Sequence, residues 1–332
     1  MLLLTPEHAA EFEALKETHK EKYGYVYLSP SSINDFKDCA HKFKLRSQFR
    51  TVSLTTVAGN IIHAFLKDVS DTIEKLMTGE GLSLAAAIDK IGATVNLEDS
   101  FNKCILQHTE MLVTKLQLKE LLAKDKDKNI LAGSKTFLDA FFKSVRGLIA
   151  NKEFIRSVIT IPPILSEIPG YFLFNNDHIL YGVLDNIGSD GEYIYLTDYK
   201  SVWSSRSRKE WDNVKGTLQL WMYTQILKDA MRAGILPEKD IRVQVKIIYI
   251  ELPQKYERIN PNNLSVEVVT KEISVSDKDI EKYSMDMSST VLLLEKGCGY
   301  IANSKYGCDS CVYNLECVYY TSVKEEKSEE ES

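Results

Sequence analysis

Hydrophobic and polar positions divide the chain into a helical first half and a second half in which strands alternate with helices. Apolar residues recur at helical spacing from residue 60 to about residue 149, with one stripe formed by Ile62, Phe65, Leu66, Val69 and Ile73. After residue 163 the period becomes that of strands, which are predicted at 164–174, 179–185, 193–200, 243–252 and 266–274. Helices are predicted at about 211–233 and at 277–295. Strands flanked by helices, with a long helical block inserted early, predict a mixed α/β domain.

The first 50 residues carry a separate set of local signals. A surface helix is predicted at 6–20 and a short strand at 25–28. Ser29 is a predicted N-cap and Pro30 stands in the first turn of the helix that follows. Its apolar positions come at helical spacing: Ile33, Phe36, Ala40 and Phe43. Four basic residues lie on or just after this helix: Lys42, Lys44, Arg46 and Arg50.

Composition and charge narrow the class of protein. The 332 residues are 44% hydrophobic, which is enough to bury a substantial core in one large domain or two smaller ones. The formal net charge of −6 gives no general basic field, so any contact with nucleic acid must be a local groove. Part of the acidity lies in residues 324–332, which are predicted to be disordered. The chain shows neither a secretory signal nor an apolar run of ~18 residues, which predicts a cytoplasmic protein without a membrane span.

Two carboxylates and a lysine are the strongest chemical signal. Asp185 ends one predicted strand, and Asp198 and Lys200 end the next, after a mostly polar turn at 187–192 with two glycines. Such a β-hairpin holds the two carboxylates close together at a strand end. Lys200 is two residues beyond Asp198 and therefore on the same face of its strand. The three side chains predict a hard-metal site with a cation beside it, although an isolated Asp-x-Lys pair is more often a solvated strand face.

Three further signals are weak when taken alone. Gln219 and Tyr223 lie four residues apart on one face of the helix after the hairpin, but an ordinary amphipathic helix gives the same pattern. His63 stands among apolar residues on a helix, where a histidine is more often a satisfied core residue than a metal ligand. Glu167 interrupts an apolar strand, and it could equally point to solvent.

The six cysteines are too sparse for a disulfide scaffold, so in a reducing compartment clustered cysteines suggest metal. A compact triplet is formed by Cys308, Cys311 and Cys317, and four-thiolate coordination needs one more ligand. The candidates are Cys39, Cys104 and Cys298. Cys39 is the best choice because it lies on the helix with the basic residues. The other two are more simply interpreted as buried small apolar residues.

Taken in order, these segments resemble the PD-(D/E)XK nuclease superfamily, specifically its iron–sulfur RecB-like branch. That branch includes the CRISPR-associated exonucleases of the fourth Cas type and AddB-type nuclease domains. The resemblance rests on residues 28–39, 59–63, 167, 182–185, 197–200, 219–223 and the cysteine triplet. No proline precedes Asp185; Leu184 stands there, as is common in this branch. The helical block between His63 and Glu167 is the least diagnostic stretch.

The resemblance implies a role for each matching residue at the hairpin. The metal ligands would be His63, Asp185 and Asp198, with the backbone carbonyl of Tyr199 as a further oxygen donor. Lys200 would orient the attacking water and offset charge on the phosphorane. Glu167 would be an accessory active-site carboxylate. The ion would be Mg²⁺ or Mn²⁺, and the histidine slightly favours Mn²⁺.

The resemblance also implies DNA contacts and an iron–sulfur cluster. Gln219 and Tyr223 would contact DNA near the site, with Lys42, Lys44 and Arg46 in a local basic groove. A 4Fe–4S cluster would be held by Cys39, Cys308, Cys311 and Cys317, which would tie the N-terminal helix to the C-terminal segment.

The implied fold is a restriction-endonuclease-like mixed β-sheet core flanked by helices. One nuclease domain would span 1–323, with a helical insertion at about 66–155, an iron–sulfur segment at 308–317 joined to Cys39, and the acidic tail at 324–332. The implied activity is metal-dependent exonuclease cleavage of single-stranded DNA or duplex ends.

Two alternatives to a stand-alone enzyme remain at this point. One is a nuclease subunit or processing factor that acts inside a complex with helicase, recombination or CRISPR-adaptation proteins. The other is a DNA-binding module without activity, against which the intact Asp185, Asp198 and Lys200 argue. The chain carries no P-loop, because the Gly-Ser-Lys-Thr run at 133–136 has the wrong spacing, and so it has no motor of that kind.

Overall fold

A five-stranded mixed sheet forms the framework of the protein. A computed structural model describes residues 2–48, 54–120, 141–202, 217–250 and 265–296. The strands are β1 (Pro163–Phe174), β2 (His178–Ser189), β3 (Ile194–Val202), β4 (Ile241–Ile250) and β5 (Val266–Ile273), in this spatial order. β3 and β4 are parallel, and the other neighbouring pairs are antiparallel. The predicted mixed α/β class is therefore confirmed, and the sheet is consistent with a restriction-endonuclease-like core.

Helices precede and flank the sheet. They are α1 (Pro6–Tyr23), α2 (Pro30–Asp38), α3 (Ala40–Gln48), α4 (Leu54–Glu80), α5 (Leu84–Thr94), α6 (Leu97–Glu120), α7 (Lys152–Val158), α8 (Leu218–Arg232) and α9 (Asp277–Glu295). Residues 141–149 are also helical. α8 lies in the connection between the parallel strands β3 and β4, as a crossover requires. The predicted limits of the last helix are confirmed.

The two larger hydrophobic cores among the described residues cover the two faces of the sheet. Alternate residues of β4 enter different cores because side chains alternate along a strand. Val245 and Ile247 pack with α2, α8 and α9, whereas Ile248 packs with α4, α5, α6 and α7. The predicted stripe on the early helical block faces this second core, where Phe65 and Ile73 are fully buried. Helices on both faces hold the hairpin of β2 and β3 in place.

Some predicted elements differ from the observed ones. The strand expected at 25–28 is reduced to a single bridge between Leu28 and Leu180. The helix expected from Pro30 onward is split at Cys39, which adopts an extended conformation with φ of −161° and ψ of 115°. Hydrophobic spacing could not show this break. Buried residues three to seven positions apart can pack into one core whether they lie on one continuous helix or on two helices. The polar turn expected at 187–192 is shorter, since β2 continues to Ser189.

Several predictions fall outside the described residues. These concern the middle of the helical block, the first part of the helix at 211–233, the cysteine triplet and the acidic tail. Among the described helices, none combines the length and the apolar character needed to cross a membrane.

Lys246 on β4 is a buried cation in the second core, with 1% of its surface exposed. Its ammonium group donates to the hydroxyls of Thr160 at 2.8 Å and Thr270 at 2.7 Å. Burial lowers the pKa of Lys246 to about 8. Between about pH 8 and pH 10.5 the unfolded chain therefore binds more protons than the folded chain, so stability should rise with pH across this window.

Lys246→Met is expected to remove this pH dependence. The difference in unfolding free energy between wild type and variant should change by about 2–3 kcal/mol between pH 7.5 and pH 10.5, in favour of wild type at the higher pH. Urea denaturation at both pH values measures it. Lys75→Met, at an exposed position of α4, is the matched control and should leave the pH dependence of wild type intact. If the unfolding free energies of wild type and Lys246→Met changed by the same amount between the two pH values, the prediction would be contradicted.

Candidate metal centre and active site

α4, β1 and β2 bring three potential metal ligands together. His63 Nδ1 lies 3.2 Å from Glu167 Oε1 and 3.4 Å from Asp185 Oδ1. One ligand atom from each residue lies within 4.8 Å of the others. One imidazole and two carboxylates at this spacing suit a divalent ion such as Mg²⁺ or Mn²⁺. Glu167, expected as an accessory carboxylate, is thus placed with His63 and Asp185 as a potential ligand.

Glu167 is held in an uncommon backbone conformation. Its φ of 51° lies in the left-handed region, which costs a non-glycine residue about 1–2 kcal/mol. The ladder between β1 and β2 pairs Ser166 with Asn186 and Ile168 with Leu184, on either side of this residue. Strained residues of this kind persist where the surrounding structure fixes them, and they cluster at functional sites.

The three potential ligands determine one another's protonation. Burial alone would lower the pKa of His63, but the carboxylates of Asp185 and Glu167 outweigh it and raise the pKa to about 10. Burial alone would raise the pKa of Asp185, and the neighbouring His63 outweighs it and lowers the pKa. In the metal-free protein a proton on His63 therefore supplies the positive charge between the carboxylates. A metal ion bound through this imidazole would replace that proton.

A second group of side chains surrounds Asp198, which is 1% exposed. Lys200 Nζ is 2.8 Å from Asp198 Oδ2, and Gln219 Nε2 donates to Asp198 Oδ1 at 2.9 Å. Gln219 Nε2 also donates to the hydroxyl of Tyr223 at 3.0 Å. The predictions that Lys200 lies beside Asp198 and that Gln219 and Tyr223 share a helix face are confirmed.

Burial and opposite charge set the protonation of this second group. Burial raises the pKa of Asp198 to about 6, with the charge of Asp185 adding to the rise and Lys200 opposing it. Burial would lower the pKa of Lys200, but Asp198 and Asp185 outweigh it and raise the pKa. Lys200 is therefore a cation at neutral pH. Its side chain remains 22% exposed, so a substrate can reach it.

The backbone of β3 connects the two groups. The amide of Tyr199 donates to Asp185 Oδ2 at 2.7 Å, and the register of β2 and β3 sets Asn186 opposite Thr197. Asp185 and Asp198 follow directly beyond this pair, close together as predicted. Asp198 is bound to Lys200 and Gln219 rather than grouped with His63, so its role as a metal ligand stays a prediction. The role of the Tyr199 carbonyl also stays a prediction.

The predicted basic groove is only partly described. Lys42 Nζ lies 2.7 Å from Asp35 and 3.3 Å from Asp38, which offset its charge. Lys44 is exposed on α3. The side chain of Arg46 and the whole of Arg50 lie outside the described part of the chain. A DNA-binding role for these residues stays a prediction.

The structure describes two of the six cysteines. Cys39 is half-buried at the junction of α2 and α3, and the three cysteines predicted to join it around a cluster lie outside the described residues. Cys104 is buried, as predicted, and its thiol lies 3.8 Å from Asp68 Oδ2. Burial raises the pKa of the Cys104 thiol to about 12, so it stays protonated and unreactive.

Residues that sequence reasoning did not select also border the site. His108 on α6 is half-buried; burial lowers its pKa, and the nearby carboxylate of Glu167 opposes that change. Asn186, Ser166 and Ser70 form a buried hydrogen-bonded group next to the ligands. No periodicity or spacing marked these four residues. Asn186 and Ser166 could have been noted only as polar neighbours of selected carboxylates.

Gly182 on β2 leaves room for the ring of Tyr223. A Cβ atom at position 182 would lie 2.4 Å from Tyr223 Cε1, far inside van der Waals contact. Gly182→Ala should displace this buried ring and lower stability by about 1–3 kcal/mol. Urea denaturation measures the effect.

Two further variants control for this result. Gly147 lies on a helical segment, where a Cβ atom would meet nothing within 4 Å, so Gly147→Ala should be neutral or slightly stabilising. Adding Tyr223→Leu to Gly182→Ala should recover stability, because the smaller side chain leaves room for the added Cβ atom. A Gly182→Ala protein as stable as wild type would show that the contact is not tight.

A comparison with known families places the chain. A family model described as the PD-(D/E)XK nuclease superfamily matches residues 27–317. The chain belongs to the PD-(D/E)XK nuclease superfamily. Its members are hydrolases that use divalent metal ions, which agrees with the three ligands grouped at the hairpin.

Other comparisons add little. No curated protein matches the chain. A solved crystal structure from Eubacterium rectale, described as "Putative exonuclease", is similar at 13% sequence identity and a TM-score of 0.39, over 94% of this chain and 93% of that chain. At this level the similarity supports no inference about fold or function.

Proposed function

We propose that this protein is a metal-dependent DNA exonuclease of the iron–sulfur RecB-like branch, acting on single-stranded DNA or DNA ends. The observation that carries the proposal is the grouping of His63, Glu167 and Asp185 beside the Asp198–Lys200 ion pair. In this arrangement oxygen and nitrogen ligands adjoin a lysine that can approach a phosphate. The single domain over 1–323 and its helical insertion belong to the same proposal.

The proposed function assigns a separate role to each residue of the site. The ion would be held by His63, Glu167 and Asp185. The backbone amide of Tyr199 orients Asp185 by donating to its Oδ2 atom. A bound Mg²⁺ or Mn²⁺ supplies charge neutralisation and a more acidic water. Lys200 offsets charge on the phosphate, since its ammonium group is preorganised by Asp198.

Cleavage assays on DNA of defined topology test the proposal. Linear and circular DNA, single- and double-stranded, would be incubated with Mn²⁺, with Mg²⁺ and with EDTA. An exonuclease degrades the linear forms, leaves the circles intact and is inactive in EDTA. Cleavage of the circles would show an endonuclease instead, and inactivity on every substrate would refute the proposal. Lys200→Ala, purified in parallel, reports any contaminating nuclease.

The iron–sulfur part of the proposal predicts about four irons per chain after anaerobic purification. Cys39→Ala should lose the iron and lower stability, because the cluster would join Cys39 to a distant part of the chain. Cys104→Ala, at the buried thiol beside Asp68, is the matched control and should keep the iron. Metal analysis decides the matter: stoichiometric zinc without iron or sulfide would overturn the cluster.

A further inference from the structure

Next to the potential ligands lies a cluster of four buried polar side chains, here called the buried polar cluster: Ser70, Ser166, Asn186 and Tyr199. Each is 4% exposed or less. Asn186 Nδ2 donates to Ser166 Oγ at 3.0 Å and has a longer contact of 3.5 Å with Ser70 Oγ. The side chain of Tyr199 lies next to Ser70. The hydrogen bonds of Asn186 thus join α4, β1 and β2 within the interior, and Tyr199 borders them from β3.

Every member of the cluster is placed close in sequence to a site residue. Ser166 precedes Glu167, Asn186 follows Asp185, and Ser70 lies two helical turns after His63 on α4. Tyr199 stands between Asp198 and Lys200, and its amide donates to Asp185. The hydrogen bonds of the cluster therefore fix the separations among the segments that carry the three potential ligands.

The buried polar cluster holds the chain next to the strained residue Glu167. Ser166 and Asn186 are the paired residues immediately before the left-handed Glu167, and the side chain of Asn186 adds a second link to the backbone ladder there. A strained residue keeps its conformation only where its neighbours are held firmly. Without the amide of Asn186, the segment that carries Glu167 is free to relax away from His63.

A purely structural role would be the simpler interpretation, since buried polar groups generally find partners. Apolar residues of similar size would, however, fill the same space at little or no cost in stability. Ser70, Ser166 and Asn186 instead bond across three separate elements, α4, β1 and β2, at the point where the ligands converge. Metal-site geometry is commonly tuned by hydrogen bonds in the shell behind the ligands.

We propose that Asn186 and Ser70 are positioning residues that set the spacing of His63, Glu167 and Asp185 for a divalent ion. This inference rests on the proposed metal-dependent function. Asn186 acts through Ser166 on Glu167, and Ser70 acts through α4 on His63.

Mn²⁺ affinity, measured without DNA by electron paramagnetic resonance of the free ion, tests the inference. Asn186→Ala should weaken Mn²⁺ binding by about 10–100-fold. Ser166→Ala should weaken Mn²⁺ binding as well. The double variant should bind Mn²⁺ no more weakly than Asn186→Ala, because each single change already removes the same Asn186–Ser166 hydrogen bond. Ile91→Val is the control for stability, since Ile91 is buried in the second core and its apolar side chain takes no part in the hydrogen bonds of the cluster. It should lower the melting temperature in EDTA and leave Mn²⁺ affinity unchanged.

Each outcome decides for or against the inference. Wild-type Mn²⁺ affinity in a folded Asn186→Ala protein would overturn it, as would an equal loss of affinity in Ile91→Val. If Asn186→Ala does not fold, Ser70→Ala decides, with an expected loss of about tenfold in affinity. A wild-type protein that binds Mn²⁺ but cuts no DNA refutes the proposed nuclease function alone. A wild-type protein that binds neither Mn²⁺ nor Mg²⁺ overturns both.

Discussion

Lys200→Ala is expected to slow DNA cleavage by about 10²–10³-fold while Mn²⁺ binding is largely retained. Lys200 is an ion-paired cation at the edge of the site and not one of the three grouped ligands. Removing one preorganised group that faces developing charge costs a rate factor of this size. Single-turnover cleavage and Mn²⁺ binding, measured on the same preparation, separate the chemical step from metal binding.

The cleavage rates of Lys200→Ala and wild type at two pH values show which role Lys200 has. Burial raises the pKa of Asp198 and Lys200 opposes that rise, so in Lys200→Ala the Asp198 carboxyl should ionise only at higher pH. A variant that is slow at pH 7 but matches wild type at pH 9 would show that Lys200 serves only to keep Asp198 ionised. A defect that persists at pH 9 supports action on the substrate. Lys228→Ala, at a half-buried position on α8, is the control and should be fully active.

Asp185→Asn is expected to abolish detectable Mn²⁺ binding and to lower cleavage by at least about 10³-fold. The change keeps the shape of the side chain but removes the charge that faces His63 and accepts from the Tyr199 amide. Metal ions supply several kcal/mol of charge stabilisation in such reactions, which corresponds to a rate factor of this order. Titration with Mn²⁺ and cleavage assays at saturating metal measure the two losses.

The same hairpin offers a matched control. Asp190 lies in the turn between β2 and β3, where its carboxylate accepts from the backbone amides of Glu192 and Tyr193. These bonds lower the pKa of Asp190 to about 2, so Asp190→Asn should reduce stability. It should leave Mn²⁺ binding and cleavage at wild-type levels. Full activity in Asp185→Asn, or equal losses in both variants, would contradict the assignment of Asp185.

Local patterns predicted most of the elements that carry the site. The strand period located β2 and β3, and the helical spacing of Gln219 and Tyr223 placed both on one face of α8, where they are hydrogen-bonded. These features depend on residues two to four positions apart, so periodicity shows them directly. The break at Cys39 escaped this reasoning because hydrophobic spacing is the same in one helix or two.

The assembly of the ligands was beyond local pattern. His63 and Glu167 are 104 residues apart in sequence and 3.2 Å apart in the fold. Only the resemblance to a nuclease superfamily connected His63 with the hairpin, and it assigned Glu167 an accessory role. The structure groups Glu167 with His63 and Asp185 instead, while Asp198 is bound to Lys200 and Gln219.

The sequence by itself determined the class of fold, the membership of a nuclease superfamily and the identity of the charged residues at the hairpin. It could do so because strand and helix periods and motif spacings are properties of neighbouring residues. The tertiary structure alone decided which side chains meet, how protons are shared among them and which buried polar groups hold them in place. These depend on burial and on distances between segments far apart in the chain, and neither quantity has a local pattern.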